Sequence, residues 1–139
     1  MDGMLSPGIG KEAGLNPDIR RIIAVEAHRR RAGRCPVLVH SLDTGESFVI
    51  EPLPDGFRDA TTGLTVREST TGIALDGAAA VDLRLNGDIA FEGQDHASGE
   101  RFTGHAGGGA SVTFHDSRRV HFFQYAISYR PDGAIAQPG

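Results

Sequence analysis

The stretch SVTFHDSRRVHFFQYAISY, residues 111–129, decides the fold class. Apolar and polar residues alternate on both sides of a polar centre, which is the pattern of two β-strands joined by a turn. An even loop around Ser117 and Arg118 puts Val112, Phe114, Phe123, Tyr125, Ile127 and Tyr129 on one face, the expected wall of a core. The opposite face carries Ser111, Thr113, His115, Phe122 and Gln124, with His121 at the rim of the first. A semi-polar aromatic face of this kind lines a wet pocket or a subunit contact. His115, Phe122, Gln124 and His121 are therefore the candidate pocket or interface residues.

The same pattern continues upstream. From Pro36 onward the chain reads as short strands and turns, among them VLVHSL, SFVIE, LTVRE, GIAL, AVDLRL, DIAFEG and RFTG. No second helical pattern is available to carry a parallel crossover. The expected fold is therefore mainly β, an antiparallel sandwich or barrel of about 8–10 short strands preceded by one helix. In VDLRLNGDIAF, an odd loop at Asn86–Asp88 would pair Leu85 with Ile89 and Leu83 with Phe91, keeping the apolar residues on one face. DTGESF at 43–48 and ASGERF at 97–102 share turn chemistry, with Gly suited to a left-handed position.

Four segments follow from these patterns. Residues 1–15 form a Gly-rich arm, 16–33 a helix, 36–130 one β domain and 131–139 a tail. Asn16 is a good N-cap, Pro17 suits the first helical position, Asp18 complements the positive helix end, and Gly33 before Pro36 suits the stop. Ile19, Ile22, Ile23 and Ala27 make an apolar stripe, and Glu26 and Arg30 stand at pairing distance. The expected helix is amphipathic, packing its first half on a sheet and solvating its basic second half, HRRRAGR.

Composition limits the function classes. One cysteine, Cys35, excludes an intrachain disulfide and favours a reducing compartment, the cytoplasm by default. No apolar run approaches the ~20 residues needed to span a bilayer, and the N-terminus lacks a secretory pattern. The formal net charge is −4, yet six of the thirteen arginines fall between Arg20 and Arg34, so a basic segment sits on an acidic body. The preference for Arg over Lys fits codon bias in a GC-rich genome and carries no functional weight.

Catalytic signatures are missing. GHAGGGAS at 104–111 leads into a strand and has no Lys, so it is no phosphate cradle. There is no nucleophile elbow, and Glu51, Asp55 and Asp59 in a turn-rich loop identify no acid–base pair. His96, His105, His115 and His121 lie in one β-rich stretch beside Asp95 and Asp116 and are the metal-ligating candidates, but their spacing matches no compact signature. No cofactor is favoured, a divalent metal being the alternative. Arg29, Arg30 and Arg31 are the candidate basic helix contact, although nucleic acid is the less favoured partner without interleaved aromatics. The expected function is a non-enzymatic β-domain in self-assembly or protein-partner binding, most simply a homo-oligomer. The alternative is a small-molecule- or metal-binding barrel, enzymatic or not, that uses histidines and acids of 95–121.

Overall fold

The computed structural model describes residues 15–106, 109–116 and 122–130. One helix, α1 (Pro17–Ala32), precedes ten strands. They are β1 (Leu38–Ser41), β2 (Ser47–Leu53), β3 (Gly56–Asp59), β4 (Thr65–Glu68) and β5 (Gly72–Leu75). Then come β6 (Ala78–Asn86), β7 (Ala90–Asp95), β8 (Arg101–Ala106), β9 (Ser111–Asp116) and β10 (Phe122–Ser128). Each strand pairs antiparallel with its sequence neighbours, and β10 returns to β1 through Tyr125↔Ser41 and Ile127↔Val39, closing a ten-stranded up-and-down barrel. Of the two architectures the sequence allowed, the chain adopts the barrel, and no strand edge is left unpaired.

The two faces of the opening stretch are as read. Phe114 pairs with Phe123 and Val112 with Tyr125 on the inner side, while His115 pairs with Phe122 and Thr113 with Gln124 on the outer side. Residues 117–121, with His121, lie outside the described residues. The β6–β7 hairpin has the expected odd loop, but Asn86 pairs with Ala90 and Leu85 with Phe91, so the loop is Gly87–Ile89 and Ile89 is exposed. This register sets Gly93 opposite Leu83 and Phe102, where a Cβ would lie 2.6 Å from the Phe102 ring. The missing side chain makes room for Phe102, which packs with Phe91 and Phe114 at centroid distances of 6.3 and 5.2 Å.

α1 passes through the barrel. The predicted caps hold: the Asn16 side chain accepts from the Asp18 amide, and Gly33 stops the helix in the left-handed region. However, nine consecutive residues, Arg20–His28, are buried, so no face of that stretch meets solvent. A helix lying on an outer wall keeps a polar face wet. The partners give the direction. Near the helix start, Leu15 and Arg21 reach Asp116 and Asp59, the last residues of β9 and β3. Near its end, Arg30 reaches the carbonyl of Gly72 at the start of β5, and Arg31 reaches those of Asn86, Gly87 and Ala90 in the β6–β7 turn. In an up-and-down barrel these strand ends lie at opposite rims, here termed the entry and exit rims. Eight-stranded barrels are filled by their own side chains. Two further strands make room for a helix.

The expectation of a half-solvated, amphipathic helix is thus corrected. Ile22, Ile23, Ala24, Val25 and Ala27 are all enclosed, and the basic end is engaged by acceptors of the barrel itself.

The turn echo proves wider than the sequence suggested. Ser41–Glu46, Asp59–Leu64 and Asp95–Glu100 form the same turn at the entry rim. In each, the amide of the first residue bonds the sixth and the fifth, a glycine at φ near +75 to +79°, bonds back to the first. The buried Asp59 and Asp95 carboxylates cap Thr62 and Ser98 within their turns.

Candidate functional site

Among the described residues, the barrel interior is occupied by α1 and the side chains that hold it. At the entry rim, Arg21 forms a two-pronged pair with Asp59, Nε–Oδ1 3.1 Å and Nη2–Oδ2 2.8 Å, and stacks over Phe48. Burial pushes the Asp59 carboxyl up, but the hydrogen bonds from Arg21 and Thr62 together outweigh it, and the group is held below its usual range. Tyr125, pushed up to about 12 by burial, accepts from Arg20. Toward the exit rim, Glu26 is enclosed between Arg29 and Arg30, at 2.6 and 2.7 Å. The Cys35 thiol is pushed up to about 11 by burial, which keeps it from acting as a thiolate. His28 Nε2 lies 2.9 Å from the Gly109 carbonyl, an acceptor only, so that nitrogen carries the proton. Nδ1 therefore accepts from the Tyr129 hydroxyl at 2.6 Å. Every one of these groups ties the helix to the wall or to its own neighbours.

The three described histidines of the candidate metal set are spread along the outer wall. His96 follows β7 and bonds Asp82 at 2.8 Å, and that bond holds its pKa above the usual value. His105 on β8 pairs with Thr113, whereas His115 on β9 pairs with Thr103, so the two are offset along the strands. His121 lies outside the described residues. Asp95 and Asp116 point into the entry rim as a turn cap and as the acceptor of the Leu15 amide. Among the described residues, no three His, Cys, Asp or Glu side chains come together as a metal would require. Arg29, Arg30 and Arg31, the candidate basic contact, bond Glu26, Glu68 and the carbonyls described above.

Of the interface candidates, the three described ones, His115, Phe122 and Gln124, stand side by side. The His115 ring lies 4.8 Å from that of Phe122, and Gln124 is next on the same outer face. The surrounding wall has a property that the sequence does not display. The outward residues of β9 are Ser111, Thr113 and His115, and those of β10 are Phe122, Gln124 and Ala126. β1 adds Leu38 and His40, and β2 adds Ser47 and Val49. None of these outward side chains carries a formal charge, although the Asp43 carboxylate reaches in from the adjoining turn and accepts from the Gln124 amide. Phe122 is 57 % exposed, Leu42 at the adjoining rim 54 % and Val49 51 %. The rest of the wall carries cross-strand ion pairs instead: Glu51–Arg58, Asp55–Arg67 and Arg84–Glu92.

A second concavity, a cleft of about 730 Å³, lies beside the β4–β5 turn over β6–β8. Arg84, Arg101, Glu92 and Gln94 line it together with Glu68 and Arg30. The sequence reading missed it. Apart from Arg30 on α1, these residues are ordinary positions of separate strands, and only the strand registers set them side by side.

No protein-family model matches the chain, and no curated protein or solved structure matches it.

Proposed function

We propose that this domain is a non-enzymatic self-association module whose contact face is the uncharged strip of β9, β10, β1 and the first half of β2. The observation that carries the reading is the charge pattern of the wall: an exposed aromatic among outward side chains without formal charge, touched by one carboxylate, Asp43, and flanked by ion-paired surface. Depletion of charge with enrichment of aromatics marks the centres of protein interfaces. A second copy is the favoured partner because symmetric homo-oligomers dominate among soluble assemblies. With every strand paired, copies meet face to face and not by strand addition. The enclosed helix supports the non-enzymatic part of the reading, since it occupies the space where barrels of this size hold ligands.

Sedimentation equilibrium at tens of micromolar tests this. The full chain sediments as a dimer or larger assembly, and Phe122→Arg or Val49→Arg returns it to the monomer mass with an unchanged circular dichroism spectrum. A full-length monomer at that concentration overturns the proposal.

The cleft favours a second reading, the binding of a small polar molecule, because its volume falls in the usual range of about 300–1,000 Å³ for ligand sites. Its mixed charges suit a polyhydroxylated or zwitterionic compound. A thermal-shift screen of such compounds tests it: a saturable shift lost in Arg84→Ala supports the reading.

A further inference from the structure

We infer that residues 1–14 of one copy lie across the uncharged strip of a second copy, an arm exchange that rests on the self-association reading. The point of departure is fixed. Leu15 is 2 % exposed and its amide donates to the Asp116 carboxylate at the end of β9. The preceding residue, His115, faces outward and packs its ring, tilted, against that of Phe122. Leu15, where the arm joins the described chain, therefore sits at the entry rim beside the β9 end of the strip. When two strips face each other, a segment leaving there is already inside the contact.

The arm has the length and the chemistry for this. Fourteen residues span up to roughly 46–50 Å when extended. Strands of about seven residues, such as β2 and β10, measure only about 23 Å. The sequence MDGMLSPGIGKEAG has Met1, Met4, Leu5 and Ile9 to set against Phe122, Leu42 and Val49. Its charges, Asp2, Lys11 and Glu12, sit toward the two ends and leave residues 3–10 uncharged, like the strip. Pro7 and the four glycines favour an extended path over a helix.

Area points the same way. Four strands at about 4.8 Å spacing and about 20 Å of length give roughly 400 Å². A standard interface buries about 800 Å² per partner. Strip against strip supplies about half of that, and two exchanged arms supply the remainder.

The test uses the full chain with Ile9→p-benzoylphenylalanine, mixing isotopically light and heavy copies before irradiation. Heavy–light crosslinks from position 9 into residues 111–116, 122–130 or 38–49 are expected. Light–light and heavy–heavy products alone would place the arm on its own barrel and overturn the inference. In parallel, deletion of residues 2–14 is expected to raise the dissociation constant at least tenfold while the circular dichroism spectrum is retained. If the deletion leaves assembly unchanged and Phe122→Arg still gives monomers, the arm inference falls and the self-association reading stands. A monomeric full chain removes both.

Discussion

Asp59 and Arg21 are both enclosed; Arg21 has a second partner in the half-exposed Asp18, whereas Arg21 is the one cation paired with Asp59 among the described residues. Removing one member of such a pair leaves a buried charge, at a cost of about 3–5 kcal/mol. Arg21→Met is expected to lower stability to urea by that amount. The double variant with Asp59→Leu should recover only part, because Thr62 loses its cap as well. A cost below about 1 kcal/mol for Arg21→Met would contradict the enclosure. The sign with pH follows from the depressed Asp59 value: its stabilisation is present above the unfolded carboxyl value near 3.9 and is lost as pH falls through the lower folded value. His28 acts in a separate window. Desolvation lowers its pKa, so as pH falls below about 6.5 the unfolded chain takes up the proton first and stability declines toward the folded value. Melting temperatures of wild type and His28→Gln between pH 7.5 and 5 should converge as pH falls. A constant difference would show that His28 stays equally protonated in both states.

At the scale of elements, the three related turns make a quantitative claim. Each needs a left-handed residue at its fifth position, and Gly45, Gly63 and Gly99 supply it. Replacement of Gly63 by Ala is expected to cost about 1–2 kcal/mol, with similar losses at Gly45 and Gly99. A spread from zero to several kcal/mol across the three would show that the turns are not equivalent. Much at this scale was legible beforehand: the helix caps, the two faces of β9 and β10 and the odd β6–β7 loop all follow from local chemistry. What period-two alternation cannot see is a slip of two residues. It therefore placed Ile89 opposite Leu85, whereas the packing of Phe102 over Gly93 selects Leu85↔Phe91. The helix environment was misread for a related reason. IIAV at 22–25 is apolar on all sides, a mark of an enclosed helix, but the arginine run after it resembles a solvated face when its acceptors are unknown. The charge-free strip is assembled from four strands of which two are separated from the others by over 50 residues, and no local pattern reports it.

For the whole molecule, enclosure means that the helix has no tolerant side. Ile23 and Val25 point roughly opposite ways from the helix axis, yet each is fully buried. Ile23→Ser and Val25→Ser should therefore both cost about 2–4 kcal/mol, measured by urea unfolding. A helix lying on the outside would show the loss at only one of them. Unfolding should also be a single event, with ellipticity at 222 nm and the near-ultraviolet signal of Tyr125 and Tyr129 sharing one midpoint. Separate midpoints would mean that the helix leaves before the wall opens.

The threaded helix also sets an order of events during biosynthesis. α1 emerges from the ribosome first, but the seam that completes its enclosure is β10 against β1, with Ser128 joined to Leu38. Until the last strand has been made, the Ile22–Val25 segment and its buried charges have no finished wall around them. Domains of high sequence separation fold slowly and leave apolar surface open meanwhile. Stalling short of Ser128 would therefore yield a product with an open seam and an unsheathed apolar segment.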